Sequence, residues 1–105
     1  MTAYITKINN GKVELWTTTG NRYGSISSIN NAISADYNDH LQQIVITVIT
    51  GKVYTYNKSG SRVHTVYQSS PAAVDAGWVG DDLQITLANN TTYLYKANGT
   101  RIRRI

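Results

Sequence analysis

The chain of 105 residues contains no cysteine and no phenylalanine, and it has a single proline. Without cysteine it has no disulfide framework, no thiolate metal site and no thiol nucleophile. Its aromatic residues are eight tyrosines and two tryptophans, whose polar groups need partners when buried. No stretch approaches the roughly 18 apolar residues of a membrane span, and Met1 is not followed by a signal-peptide pattern. The compartment stays open, with the cytoplasm as the default expectation.

Charge is also sparse, with 10 Lys and Arg against 6 Asp and Glu and a net charge of +4. Part of the excess is concentrated at the end of the chain, in Arg101, Arg103 and Arg104. This mildly favours anionic partners, although ordinary solubilising charge explains it as well. Nucleic-acid binders usually carry a denser basic patch, so we do not expect one here.

Motifs of catalysis are missing as well. His40 and His64 stand in a turn and in a strand pattern, without the HExxH or paired-His spacing that a metal requires. There is no phosphate-binding loop and no nucleophile elbow, and Asp81-Asp82 is ordinary turn chemistry. A catalytic site would need one of the histidines beside a carboxylate across a subunit junction. We therefore predict no enzyme, no metal and no cofactor.

A repeat dominates what is present. Gly20, Gly60 and Gly99 are 40 and then 39 residues apart, and each lies at the same point of a 16-residue segment. The three segments are GKVELWTTTGNRYGSI at 11–26, GKVYTYNKSGSRVHTV at 51–66 and NTTYLYKANGTRIRRI at 90–105. A period of about 40 with several strands per unit is typical of propeller blades.

Apolar and β-branched runs separated by turn residues predict eleven strands. The predicted strands are 4–8, 13–16 and 23–26 in the first unit, 32–37, 44–49, 53–56 and 62–66 in the second, and 73–78, 83–87, 93–96 and 101–105 in the third. The first unit thus lacks an innermost strand. We expect an all-β fold, a partial β-propeller of four-stranded antiparallel meanders. It forms one domain, residues 1–105, with an incomplete blade at 1–27, a second at 28–67 and a third at 68–105.

A helix is the rival interpretation for the start of the second unit. Ile29, Ile33, Tyr37 and Leu41 recur at helical spacing, and Asn31 is a suitable cap. The equivalent segment of the third unit, however, contains two glycines, each costing about 1 kcal/mol in a helix. Because equivalent segments should share one structure, the strand is preferred.

These residues resemble the WD40 superfamily in a degenerate form. The pattern appears as Gly11-Val13-Leu15-Trp16-Gly20 and again as Gly51-Val53-Tyr56-Gly60. The family's Gly-His dipeptide is absent, and Thr17, Asn57 and Lys96 replace the Asp that follows its Trp. The resemblance implies a non-catalytic interaction platform. Small lectins built from about two blades per chain have similar meanders.

The partial ring predicts self-association. We expect apolar end faces on the first and last blades, and such faces drive association when exposed. Two chains head to tail would give six blades, two of them three-stranded, closed by a twofold axis. A homodimer is therefore favoured, with a trimer as the alternative.

Functional side chains are expected where the units differ and in the loops of one face. On the family's pattern these loops make Lys12, Lys52, Tyr67 and Gln68 the candidates for binding a ligand or partner. Arg22, Arg62 and Arg101 could bind an anion, but each starts an outermost strand, where charge guards against edge-to-edge pairing. The repeated aromatics Trp16, Tyr56 and Tyr95 are expected to pack between blades.

The predicted function is thus a homo-oligomeric binding or assembly module for a protein partner or an anionic ligand. The alternative is a small repeat lectin that binds carbohydrate multivalently, since oligomeric propellers convert weak sites into avidity.

Overall fold

The computed structural model describes residues 4–105, and within that range eleven strands form three separate antiparallel sheets. We call the sheets blades 1, 2 and 3. Blade 1 contains β1 (Tyr4–Asn9), β2 (Lys12–Thr17) and β3 (Arg22–Ser25); blade 2 contains β4 (Ala32–Asn38), β5 (Gln43–Val48), β6 (Val53–Asn57) and β7 (Arg62–Tyr67); blade 3 contains β8 (Ala73–Val79), β9 (Asp82–Leu87), β10 (Thr92–Lys96) and β11 (Arg101–Arg104). Each predicted strand is confirmed, with its ends within one residue of the predicted ones. The rival helix is wrong, because its central segment forms β4.

Each blade is a meander in which neighbours in sequence are neighbours in the sheet. Tight turns with positive φ make this possible. Asn10 and Gly11, with φ of 52° and 79°, connect β1 to β2 in the conformation that two-residue hairpins prefer. Glycines at the later turns, such as Gly60 with φ of 94°, do the same for the outermost strands.

Two of the residues that replace the family's Asp hold the turn before the outermost strand. The Asn57 carboxamide oxygen accepts hydrogen bonds from the backbone N–H groups of Ser59 at 3.1 Å and Ser61 at 3.0 Å. In blade 1 the Thr17 hydroxyl accepts from the N–H of Asn21 at 3.1 Å. Short polar side chains favour such turns because they satisfy local backbone donors. The departures from the family pattern therefore keep the turn closed.

The apolar core lies in two layers, one at each junction between blades. β5 in the middle blade is buried from Ile44 to Val48 because it supplies both layers. Ile44 and Ile46 pack toward Val13 and Leu15 of blade 1, whereas Val45 belongs to the layer with blade 3. A strand covered on both faces reads as a continuous apolar run, which explains the sequence IVITV at 44–48.

Polar groups join the inner strands of neighbouring blades. Asp36 on β4 accepts two hydrogen bonds from Trp78 on β8: the backbone N–H reaches its carboxylate at 3.0 Å, and the indole N–H reaches its carbonyl at 3.1 Å. At the first junction the Thr6 hydroxyl of β1 donates to the Ala35 carbonyl at 3.0 Å. These bonds fix the rotation of one blade against the next.

Two glycines allow each hairpin turn to touch the segment that enters the following blade. The Gly11 carbonyl accepts from the N–H of Ala32 at 2.8 Å, and the Gly51 carbonyl accepts from the N–H of Ala73 at 3.0 Å. A Cβ on Gly11 would overlap the Asn30 carbonyl, and one on Gly51 would overlap the Cβ of Ala72. In blade 3 the equivalent turn position is Asn90, with φ of 67°.

Candidate functional site

Blade 1 turns one face toward blade 2 and leaves the other, which we call open face 1, without a neighbour. Strand pairing identifies its residues. The pair Lys7 and Glu14 of blade 1 is equivalent to the pair Ile46 and Tyr54 of blade 2, so both pairs lie on the same side of their blades. Open face 1 consists of Ile5, Lys7, Asn9, Lys12, Glu14, Trp16 and Arg22. The expectation of an apolar end face is therefore wrong for blade 1, where a lysine replaces the isoleucine found in the middle blade.

Four side chains of open face 1 contact one another. Glu14, with a side chain only 13% exposed, accepts a hydrogen bond from the indole N–H of Trp16 at 3.1 Å. Its other carboxylate oxygen lies 3.6 Å from a guanidinium nitrogen of Arg22. The Lys7 ammonium lies 4.5 Å from the ring centre of Trp16, within the range of a cation–π contact. A cleft of about 500 Å³ beside this group is lined by Asn9, Asn10, Lys12, Glu14, Arg22, Ser25 and Asn30.

Blade 3 packs against blade 2 through one face and leaves its other face uncovered; we call this other face open face 3. It consists of the residues whose strand partners alternate away from the buried row Leu83, Ile85 and Leu87, namely Asp75, Gly77, Val79, Asp82, Gln84, Thr86, Thr92, Leu94, Lys96 and Arg103. Asp75, Gln84 and Thr86 line a shallow cleft of about 190 Å³ together with Gly77, Trp78 and Val79. The inner part of this face carries two carboxylates, so it is also more polar than expected.

The three repeated arginines occupy the same place in three different sheets. Arg22, Arg62 and Arg101 each begin an outermost strand and are solvent-exposed. Arg62 lies 4.2 Å from the ring centre of Tyr54, and Arg101 lies 5.0 Å from that of Tyr93. The Tyr56 hydroxyl raises the pKa of Arg62 by hydrogen bonding. Since each arginine contacts its own blade, the structure does not bring them together, and anion binding by them stays a prediction.

The loop candidates separate into exposed and buried side chains. Lys12, Lys52 and Gln68 are exposed, and the two lysines follow Gly11 and Gly51 in equivalent turns. Tyr67 is 7% exposed, and its hydroxyl donates to the Pro71 carbonyl at 2.6 Å. Its ring stacks edge-on with Tyr95 at 6.1 Å, and burial raises its pKa. The side chain of Tyr67 thus serves the junction between blades, while the other three are free to meet a partner.

The repeated aromatic residues differ in burial, depending on whether another blade covers them. Tyr56 and Tyr95 are buried between blades, as expected. Trp16, their counterpart in blade 1, is only half-buried because no blade covers open face 1.

Sequence reasoning missed a second polar link across the junction between blades 2 and 3. The Asn38 side chain, 6% exposed, donates to the Gly80 carbonyl at 2.9 Å and to the Asp81 carboxylate at 3.2 Å. His40 lies beside the same carboxylate, with its Nδ1 atom 2.8 Å from Oδ2. The only indication of this link in the sequence is that three polar residues follow equivalent inner strands at their C-terminal ends, namely Asn38, His40 and Asp81. The histidine therefore meets a carboxylate across blades of one chain.

Residues 4–105 contain no cluster of three or more His, Asp or Glu side chains that could hold a metal ion. Over the same range there is also no helix that could span a membrane.

Three stacked antiparallel meanders define part of a β-propeller fold, and solved structures match it. One is Sqt1 of Saccharomyces cerevisiae, with a TM-score of 0.76 and 14% sequence identity over 98% of this chain. Others are the β-propeller domain of Cps50 (Swd1) from Myceliophteria thermophila, with a TM-score of 0.66 and 13% identity over 97% of this chain, and the WD40 β-propeller domain of Doa1, with a TM-score of 0.62 and 12% identity over 98%.

The present chain spans only 30%, 38% and 36% of those three chains, so it corresponds to a part of each ring. At this level of identity the likeness establishes the fold. The sequence matches no protein-family model and no curated protein.

Proposed function

We propose that this chain is a non-catalytic interaction module in which two copies join head to tail into a closed propeller, and that its loops bind a protein partner or an anionic ligand. The observation that carries the proposal is the contrast between the two uncovered faces. Open face 1 is basic through Lys7, Lys12 and Arg22. On open face 3 the carboxylates Asp75 and Asp82 lie on the two inner strands β8 and β9, whereas the cations Lys96 and Arg103 lie on the two outer strands.

The two faces would meet if blade 3 of one copy stacked on blade 1 of the next. A twofold axis makes the two contacts identical and closes the ring at six blades, two of them three-stranded. The carboxylates on the inner strands of open face 3 and the cations of open face 1 favour this orientation over contacts between like faces. The polar character of the faces predicts a reversible assembly rather than an obligate one, because obligate interfaces are more apolar. A trimer is the second stoichiometry.

Solution mass by light scattering tests the assembly. We expect twice the chain mass of 11.6 kDa at low salt, with dissociation as salt rises and screens the facing charges. The double variant Asp75→Lys, Asp82→Lys should be monomeric. Adding Lys7→Asp and Lys12→Asp to it should restore the dimer, because the charges are then exchanged on both faces.

Lys52→Glu is the matched control, since it changes an exposed charge in a loop outside both open faces. It should leave the mass unchanged. A parent chain that stays monomeric at low salt and high concentration would contradict head-to-tail closure, and a mass of three chains would favour the trimer.

The exposed loop residues Lys52 and Gln68 support the second half of the proposal, because they lie outside both open faces and would stay accessible in the closed ring. A fluorescent heparin oligosaccharide should bind the parent chain with an affinity that falls steeply with salt, and Lys52→Ala with Gln68→Ala should weaken that binding without changing the solution mass. Binding to uncharged glycans without salt dependence would instead favour the carbohydrate-binding alternative.

A further inference from the structure

Within the described residues, blade 1 lacks the inner strand that blades 2 and 3 contain, and the fold could accommodate such a strand. In blades 2 and 3 the second strand pairs on one side with an inner strand: β5 pairs with β4, and β9 pairs with β8. The equivalent strand β1 pairs with β2 alone within the described residues. One long edge of β1 is therefore open on the side facing the propeller axis.

The backbone of β1 presents hydrogen-bonding groups along this edge. The N–H of Ile26 donates to the Val13 carbonyl at 2.9 Å, so the polar groups of Val13 point to β3. Ile8 lies opposite Val13, and it is therefore the non-bonded member of its antiparallel pair, with its N–H and C=O directed away from β2. By alternation Thr6 and Tyr4 present their N–H and C=O groups on the same open edge.

The inner strand of blade 2, β4, also carries a buried hydroxyl group that has no hydrogen-bond partner among the described residues. Trp78 on β8 bonds to Asp36 of the preceding inner strand through both of its N–H groups. Tyr37 holds the equivalent place on β4, opposite Ile44 as Trp78 is opposite Leu83. Its ring stacks edge-on with Tyr4 at 5.4 Å, and its hydroxyl is buried without a hydrogen-bond partner among the described residues. Within that range no preceding inner strand contacts Tyr37.

We infer that the open edge of β1 binds an extended peptide strand supplied by another polypeptide, which completes blade 1 and contacts Tyr37. Added strands bind through main-chain hydrogen bonds, and pockets for alternate side chains give the specificity. The two inner strands of this chain define the preferred sequence. They read AISADY at 32–37 and AVDAGW at 73–78, with the first residue buried in both and the fourth partly buried in β4 and buried in β8.

The expected occupant therefore carries small residues three positions apart, followed by an acidic residue placed to meet Tyr37 as Asp36 meets Trp78. A second copy of this chain is a poor donor, because its β4 and β8 are already paired in its own blades. The inference does not depend on ring closure, since the edge of β1 is already open among residues 4–105 of one chain.

The test uses a fluorescein-labelled peptide with the sequence of residues 31–39 and fluorescence polarisation. We expect saturable binding to the parent protein. Ile8→Pro removes one N–H from the open edge and leaves the bonds to β2 intact, so it should weaken binding by about tenfold. The matched control Ile8→Thr keeps the N–H and a β-branched side chain, so it should bind as the parent does. A peptide with Asp36→Ala should bind more weakly, and one with Ser34→Pro, which lacks an N–H directed to the edge, should not bind.

Amide hydrogen exchange gives a second measurement that needs no variant. In the free protein the amides of Thr6 and Ile8 should exchange faster than those of Lys7 and Asn9, and the peptide should slow the first pair selectively. Equal binding by Ile8→Pro and the parent, or no change in the exchange of Thr6 and Ile8, would overturn the inference.

The solution mass distinguishes this outcome from a failure of the proposed ring. Ile8→Pro should keep the mass of the parent. If it instead breaks the dimer, a second copy occupies the edge and the separate peptide is ruled out.

Discussion

The second and third strands of blade 2 pair in the same register as β1 and β2 of blade 1, but the two blades differ at the positions where a neighbour is or is not packed. Blade 2 faces blade 1 with Ile44 and Ile46, and both are fully buried. On its uncovered side, blade 1 places Ile5 and Lys7 at the same register positions, and both are exposed. The strand geometry is insensitive to this change, since β1 and β5 are both six residues long.

The difference teaches that the meander and the junction are specified separately. Turn residues and β-branched runs determine the meander in each blade, and they recur in all three units. The row of side chains on each face determines whether another blade packs there and with what chemistry. An apolar row gives a permanent junction, whereas the charged rows on the two open faces favour a contact that can be made and broken.

The largest effect on stability is expected from exchanging the equivalent residues Ile46 and Lys7. Ile46→Lys buries an unpaired ammonium between blades 1 and 2, and we expect it to cost about 4 kcal/mol or more, enough to prevent folding. Lys7→Ile makes the reverse change on an uncovered face and should alter stability by less than about 0.5 kcal/mol. Urea unfolding followed by circular dichroism measures both. A stable, folded Ile46→Lys protein would mean that this position has access to water.

The close approach of neighbouring turns provides the next test. Gly51→Asn adds a Cβ against Ala72, and it should destabilise the protein by about 2 kcal/mol more than the control Gly20→Asn. Gly20 has a similar φ of 97° but nothing within 4 Å of an added Cβ. Because both variants carry the strain of a positive φ, the difference between their unfolding free energies reports the junction alone. Equal losses would show that backbone strain explains everything.

A smaller effect is expected from the polar link between inner strands. Asp36→Ala removes the acceptor for the backbone N–H of Trp78 and should cost about 1.5 kcal/mol in unfolding free energy. Asp36→Asn keeps an oxygen acceptor and should recover part of the loss. Thermal unfolding of the parent and both variants side by side checks this order. If the charge at Asp36 opposed folding, both variants would be more stable than the parent.

The smallest expected effect is a loss of stability at alkaline pH that is caused by Tyr37 on β4. Burial, followed by the negative charge of Asp39, raises the pKa of Tyr37 to about 12. An unfolded tyrosine ionises near pH 10, so the unfolded state releases this proton first as pH rises. Tyr37 therefore leaves stability unchanged below about pH 10 and reduces it progressively toward about pH 12.

Ultraviolet titration of tyrosinate should show a late-ionising group that disappears in Tyr37→Phe and persists in Tyr23→Phe. Tyr23 is the suitable control because its side chain is 51% exposed. A late group that survives Tyr37→Phe unchanged would assign it to the other buried tyrosines.

The sequence was sufficient to predict the strands because each turn carries its own chemistry, such as Asn10-Gly11 or the Asn57 cap, and the repeat supplied three views of one unit. It did not lead to the polar end faces, although aligning Lys7 with Ile46 would have indicated them. The Asp36 to Trp78 link could not be predicted, because it joins residues 42 positions apart through a geometry that only stacked blades create. For the same reason the candidate loop residue Tyr67 could not be recognised as buried.

Asn90 has a consequence for any attempt to lengthen this protein by tandem duplication. A fourth unit that docked as blades 2 and 3 do would bring its entering segment against the turn of blade 3, where Gly11 and Gly51 leave room in the earlier units. The side chain of Asn90 would obstruct that segment, so an engineered array would first require Asn90→Gly. A single residue thus sets how many units can be stacked in series.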